Sequence, residues 1–201
     1  MEVSNIVKPN LFKVGHNVRY ELRGKDGKVK PMFQENRIAR YLIGKKGIIS
    51  PLWINSKFAF VVAPFLGKWA NSMNIHNLVT NAGAAGVASR INGSGGEAAF
   101  TYIAVGTGAT AANVADTTLQ TEITGSGLDR VSASVSRVTT DVTNDSARLT
   151  TIFTVTGSKA ITESGVLNAS SVGTLLARQV FSAVNVVNGD SLAVTWTFDI
   201  D

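Results

Sequence analysis

The 201 residues are enough for one domain with a sizeable core, and only 16% of them are charged, against roughly 25% in an average globular domain. The absence of cysteine excludes disulfides, thiol catalysis and cysteine-ligated zinc. The formal charge of +5 is unevenly spread: residues 1–75 carry 13 Lys or Arg against 4 Asp or Glu, whereas residues 76–201 carry 6 against 10. Two halves of opposite sign suit head-to-tail assembly, the basic part of one copy meeting an acidic surface on a neighbour, and they equally suit a solvated basic face.

In chain order, Met1 to Asn10 shows no continuous apolar run behind a basic start, so no signal peptide is expected. Val18, Tyr20 and Leu22 alternate with Arg19, Glu21 and Arg23, and Asp26-Gly27 follows, which predicts a hairpin reaching Phe33. Pro31 has no N–H for a ladder and points to an edge position. Gln34 to Tyr41 reads as a short helix ended by Gly44 to Gly47. The stretch from Ile48 to Leu66 is the most apolar, yet it holds Lys57, Pro51 and Pro64, so a buried segment is expected and not a membrane span. Trp53, Phe58, Phe60, Phe65 and Trp69, flanked by Lys45, Lys46, Lys57 and Lys68, concentrate large rings among ammonium groups. They are either a small local core or an assembly contact, and an extended basic arm over residues 1–75 that deletion leaves separable from a folded body is the expectation tested below.

From Leu78 to Ile91 the period lengthens. Leu78, Ala82, Ala85, Ala88 and Ile91 fall on one face of an expected helix, and its small residues would let it lie close to a sheet. Strands are then expected at 100–105, 130–139, 147–156, 159–166, 175–184 and 192–200, separated by turns too short for crossover helices. In the last of them Leu192, Val194, Trp196, Phe198 and Ile200 alternate with small or polar residues and form the expected core face. Asn188-Gly189-Asp190 before it reads as a tight hairpin turn. The fold class is therefore mainly β, an antiparallel β-sandwich over residues 76–201 with one short helix, and the basic arm before it.

Chemistry-bearing motifs are sparse. Gly106-Thr107-Gly108 lacks both a Walker lysine and the third dinucleotide-motif glycine and reads as a shaped turn. His16 and His76 have no metal-ligand spacing, and the Asp141, Asn144, Asp145 cluster lacks the calcium-loop pattern, so no cofactor, metal or catalytic residue is expected. Lys25, Lys28, Lys30, Arg37, Arg40, Lys45 and Lys46 can attract phosphate, and Tyr20, Phe33 and Tyr41 lie near them in sequence. No groove-reading motif accompanies them, so sequence-specific nucleic-acid binding is not expected.

Asn77-Leu78-Val79-Thr80-Asn81-Ala82-Gly83, Tyr102-Ile103-Ala104-Val105-Gly106-Thr107-Gly108-Ala109-Thr110 and Asp116-Thr117-Thr118-Leu119-Gln120-Thr121-Glu122 together resemble a pattern of small virion structural proteins of tailed bacteriophages. The resemblance touches about two thirds of the chain, and the basic, aromatic stretch from about Arg37 to Asn74 departs from it. It implies a non-enzymatic virion component assembled in the host cytoplasm, a homo-oligomer in contact with other virion proteins. Head accessory or decoration subunit is the first expectation, a tail, neck or fibre-attachment component the second. By fold analogy it implies a jelly-roll or immunoglobulin-like sandwich. A host-glycan-binding module is the alternative from a different class, and it requires exposed aromatic platforms in loops.

Overall fold

A computed structural model describes residues 14–57 and 59–200, apart from the side chains of residues 14–16, 44, 45 and 60. The chain runs through β1 (Val14–Arg23), β2 (Val29–Lys30) and β3 (Met32–Glu35) into α1 (Arg37–Arg40), which a π-helical turn over Tyr41–Lys45 continues. A 3-10 turn over Pro51–Asn55, α2 (Ala59–Leu66), β4 (Gly67–Ala70), β5 (Met73–His76), β6 (Leu78–Val79) and α3 (Asn81–Asn92) follow. The remaining strands are β7 (Tyr102–Gly106), β8 (Val131–Ser132), β9 (Ser134–Val138), β10 (Ser146–Thr154), β11 (Lys159–Leu167), β12 (Leu175–Val186) and β13 (Ser191–Ile200).

All pairings in the three sheets are antiparallel. A six-stranded sheet has the order β2-β1-β13-β10-β9, with β5 also on β1; a five-stranded sheet has the order β6-β12-β11-β7-β8; β3 and β4 form a ribbon. Neither large sheet closes on itself. Their apolar faces share one core, to which β1 gives Val18, Tyr20 and Leu22, β13 gives Leu192, Val194, Trp196 and Phe198, and β12 gives Phe181, Val184 and Val186. The Tyr20 and Phe181 rings meet at 4.7 Å between centroids, and Trp196 Nε1 donates to Ser164 Oγ at 3.3 Å. The alternation of β13 thus does what its sequence predicts up to Phe198, while Ile200 is 47% exposed at the strand end.

Three expectations are corrected. The Asn188 to Asp190 turn is not a hairpin turn, because β12 pairs with β11 and β6 while β13 pairs with β1 and β10, so the turn carries the chain from one sheet to the other. The buried Asp190 fixes it, accepting from Lys30 Nζ at 2.7 Å and from the Val187 N–H at 3.0 Å. The helix begins after Leu78, which is taken into β6 beside Arg178. Thr80 caps α3 through its side chain, and the buried positions of α3 are Gly83 and Gly86 with Val87 half-buried, while Ala85, Ala88 and Ile91 face outward. At Gly83 the helix comes so close to the Leu176 carbonyl on β12 that a Cβ has no room, so the closest approach selects glycine over the alanines.

The third correction concerns residues 1–75. The Asp26-Gly27 turn closes a hairpin as expected, with Leu22 opposite Lys30 and Gly27 at φ +77°. The same strand, β1, also pairs with β13 over its full length, from Val14 opposite Ile200 to Arg23 opposite Ser191. The basic segment is therefore built into the six-stranded sheet and is not an extended arm. Deleting residues 1–75 removes β1, β2 and nearly all of β5 from one side of that sheet, together with Val18, Tyr20, Leu22, Met73 and Ile75 from the core. The truncated chain is expected to be insoluble or to lose its cooperative thermal transition. Circular dichroism melting checks this, and a sharp transition in the truncated chain contradicts it.

Candidate functional site

Residues 31–72 leave the sheet after Pro31 and fold against the outer face of β12. Pro31 ends β2, and β3 turns away to pair with β4, Phe33 opposite Trp69. Asn36 organises the segment: its side chain accepts from the Ala39 N–H at 2.9 Å to cap α1, and donates to the Phe65 carbonyl at 2.7 Å. Gln34 does the same for β5, donating to the Asn74 carbonyl and accepting the Asn74 N–H. A second core follows from these ties, made of Phe33, Ala39, Ile43, Trp53, Ala59 and Ala63 around Val180 of β12. Trp53 stands edge-on to Phe33 at 5.1 Å and donates Nε1 to Ser182 Oγ at 2.8 Å. The Ser182 N–H donates to the Glu35 carboxyl, and Asn55 and Asn185 exchange amide hydrogen bonds.

Glu35 is buried, one of its oxygens has no partner, and burial raises its pKa above the ordinary 4.5 against the opposing pull of Ser182 and Arg40. The folded state therefore binds this proton more tightly than the unfolded chain does. The stability so gained is full below about 4.5 and is lost as pH rises through the folded value. Glu35→Gln keeps an acceptor for Ser182 and carries no titratable proton, so its melting temperature is expected to fall less between acid and neutral pH than that of the parent chain. Parallel slopes for the two proteins would count against this.

The aromatic cluster expected to act together divides. Trp53 is buried in the second core, Phe65 is 75% exposed and Trp69 is 59% exposed. Phe58, and the side chains of Phe60 and Lys45, lie outside the described residues. Lys46, Lys57 and Lys68 are exposed, and Lys46 Nζ lies 5.8 Å from the Tyr41 ring centroid. The division follows from helix geometry. In α2, Ala59 and Ala63 share the inward side at a spacing of four, which leaves Val61, Val62 and Phe65 outward. Trp69, on the neighbouring β4, stands edge-on to Phe33 at 5.8 Å and is exposed as well, and Leu52, Ile48, Ile38 and Tyr41 are further exposed apolar side chains of the segment. The two other rings considered for base stacking, Tyr20 and Phe33, are core residues and offer no free face.

The Gly106 to Glu122 connection is ordered by buried charge that sequence reasoning did not assign. Glu163 is fully buried on β11, and its two oxygens accept from the N–H groups of Gly108, Gln120 and Thr121 at 2.7–3.0 Å and from Arg178 Nε at 2.8 Å. Arg178, on β12, spends its other donors on Asp116 Oδ2 at 2.8 Å and the Thr110 carbonyl at 3.0 Å. Gln120 Oε1 accepts from the N–H groups of Ala109 and Thr110. Gly108 is required because a Cβ there would occupy the space of the Glu163 carboxylate. The shaped-turn reading of Gly106-Thr107-Gly108 thus has a specific cause. Glu163→Ala leaves Arg178 buried beside three unpaired N–H groups and is expected to cost about 3–5 kcal/mol in denaturant unfolding. A loss below about 1 kcal/mol would show that the clamp holds the loop without stabilising the fold.

Among the described residues no three or more His, Asp and Glu side chains gather as a metal site. Both oxygens of Asp145 are taken by backbone, accepting from the N–H groups of Thr140, Asp141 and Val142, and these bonds lower its pKa to about 2. No helix among the described residues is long and apolar enough to cross a membrane. The chain matches no protein-family model, no curated protein and no solved structure.

Proposed function

We propose that this chain is a non-enzymatic structural subunit that assembles through the outer face of α2 and β4. The observation that carries the reading is the composition of α2, Ala-Phe-Val-Val-Ala-Pro-Phe-Leu, whose outward residues Val61, Val62 and Phe65 are as apolar as a core and lie open to solvent beside Trp69. A surface helix normally carries polar residues on its outer side, and a helix without them belongs inside an interface. Lys57 and Lys68 rim the patch and steer it toward an acidic neighbour.

The resemblance of the Asn77, Tyr102 and Asp116 segments to small virion proteins of tailed bacteriophages gives the assembly its setting. The subunit is then a head accessory or decoration protein of the virion, contacting capsid proteins and copies of itself, and assembled in the host cytoplasm. The shared core of the two large sheets supports the finer fold reading that goes with it, a β-sandwich of jelly-roll or immunoglobulin-like type. Electron microscopy of the parent particle tests the position: copies on the capsid surface support decoration, and copies confined to the tail axis make it a tail or neck component.

The assembly contact itself is tested with Phe65→Ser and Trp69→Ser. Phe65 is mainly solvated and Trp69 loses its edge contact with Phe33, so unfolding stability is expected to fall by no more than about 1.5 kcal/mol. Self-association or attachment, measured by sedimentation, is expected to fall at least about tenfold. Unchanged association with both substitutions present would remove the basis of this reading. A reproducible glycan-array signal lost with Trp69→Ser would transfer the patch to carbohydrate binding.

A further inference from the structure

A second surface, separate from the α2 face, is built for a ligand. Between α1 with its π-turn, the junction of β5 and β6, and the tip of the clamped connection lies an open cleft of about 600 Å³. Arg37, Arg40, Tyr41, Asn77, Leu78 and Val114 line it, and no acidic side chain does. Arg37 has no acidic partner among the described residues, and Arg40 Nε is buried without a hydrogen bond. Asn77 is 7% exposed, yet neither its amide nitrogen nor its amide oxygen has a partner. A buried amide with both ends unmet is costly unless something else supplies a donor and an acceptor side by side.

We propose that this cleft binds an extended, carboxylate-bearing peptide segment of another protein. The Arg37 guanidinium calls for an anion, while Arg40 beside it already acts on the buried Glu35 carboxyl, and the planar fork of a guanidinium matches carboxylates. Asn77 narrows the class: a peptide unit offers both the N–H and the C=O its amide lacks, whereas a phosphodiester offers acceptors alone. The cleft also runs beside β6, the terminal strand of the five-stranded sheet, whose only strand partner among the described residues is β12. An edge strand presents backbone valences to an added chain, the usual way an extended peptide docks on a sheet. A sugar would need an open ring face, and Lys46 lies over the Tyr41 ring. The tip of the connection is a firm wall, because the Asn81 N–H donates to the Val114 carbonyl at 2.7 Å and Asp116 is held by Arg178. This site stands whether or not the chain is a virion component, since it uses none of the residues of the α2 face.

The test is titration calorimetry of the whole chain with an acetylated, amidated Glu-Val-Glu-Val-Glu peptide. Saturable binding that weakens as salt rises is expected, together with at least a tenfold loss on Arg37→Glu and on Asn77→Ala. The Asn77 side-chain amide makes no hydrogen bond within the fold, so Asn77→Ala is expected not to lower the melting temperature, which separates recognition from structure. The proposal is overturned if the acidic peptide does not bind, or if the matching Lys-Val-Lys-Val-Lys peptide binds as well. It is also overturned if inorganic phosphate, a short oligothymidylate or a sialylated trisaccharide binds more tightly than the peptide.

Discussion

The structure depends on the burial of β12 from both sides. Its inner residues Phe181, Val184 and Val186 close the main core, and Val180 is the centre of the second core that residues 31–72 form against its outer face. Three attachments of the peripheral parts end on this strand. Trp53 and Glu35 meet at Ser182, α3 lies on Leu176 through Gly83, and Arg178 holds the connection between β7 and Ile123. A strand covered on both faces has no polar side to spare, which is why Leu175 to Val184 reads almost without alternation. It also explains why the polar residues within that stretch, Arg178, Gln179 and Ser182, are buried, whereas Asn185 near the strand end is exposed. Arg178 and Ser182 are each hydrogen-bonded to a named partner, as buried polar groups must be.

The strands were legible because their signal is local. Alternation in 192–200, turn residues before 147 and the Asp26-Gly27 step each needs only a few neighbouring residues to be read, and the strands expected from residue 100 onward lie within a few residues of their limits, whereas β4, β5 and β6 carry no such signal and β3 takes Gln34 and Glu35 from the expected helix. What escaped was pairing across the chain. Val18, Tyr20 and Leu22 announce a strand, but nothing near them tells that the partner is Ser191 to Ile200 rather than the rest of a detached hairpin. Asn188-Gly189 departs from its expected hairpin for the same reason: its backbone suits a tight turn, and only the sheets on either side decide whether the turn joins neighbours or crosses a core. On α3 the periodic alanines were given the buried face, whereas contact distance chose the glycines.

The candidate face was half legible. Rings and lysines in Trp53 to Trp69 do mark an unusual surface, yet composition alone could not separate Trp53, whose indole N–H finds Ser182, from Phe65 and Trp69, which stay outside. The Asn36 cap was readable, since an Asn before a short helical run is a common start signal. Glu163 and Arg178 carried no such sign. They are 15 residues apart on adjacent strands, and their meaning comes from a loop that neither adjoins in sequence. The segments that prompted the virion resemblance contain Gly108, Thr110, Asp116, Gln120 and Thr121, the residues this clamp uses, so a physical need for loop geometry accounts for the pattern at those positions.

The pairing of β1 with β13 has a consequence for how the protein is made. Every other strand lies between these two in the chain, so on the ribosome β1 emerges long before its long partner exists. At about 5–20 residues per second the interval is roughly ten to thirty seconds. Throughout it, Val18, Tyr20 and Leu22 form an unpaired apolar edge, partly shielded by the short β2 and β5, with Arg19, Glu21 and Arg23 on the opposite side. Those charges keep the nascent strand from joining a like strand on a neighbouring polysome. The six-stranded sheet is therefore completed only once Ser191 to Ile200 has left the ribosome.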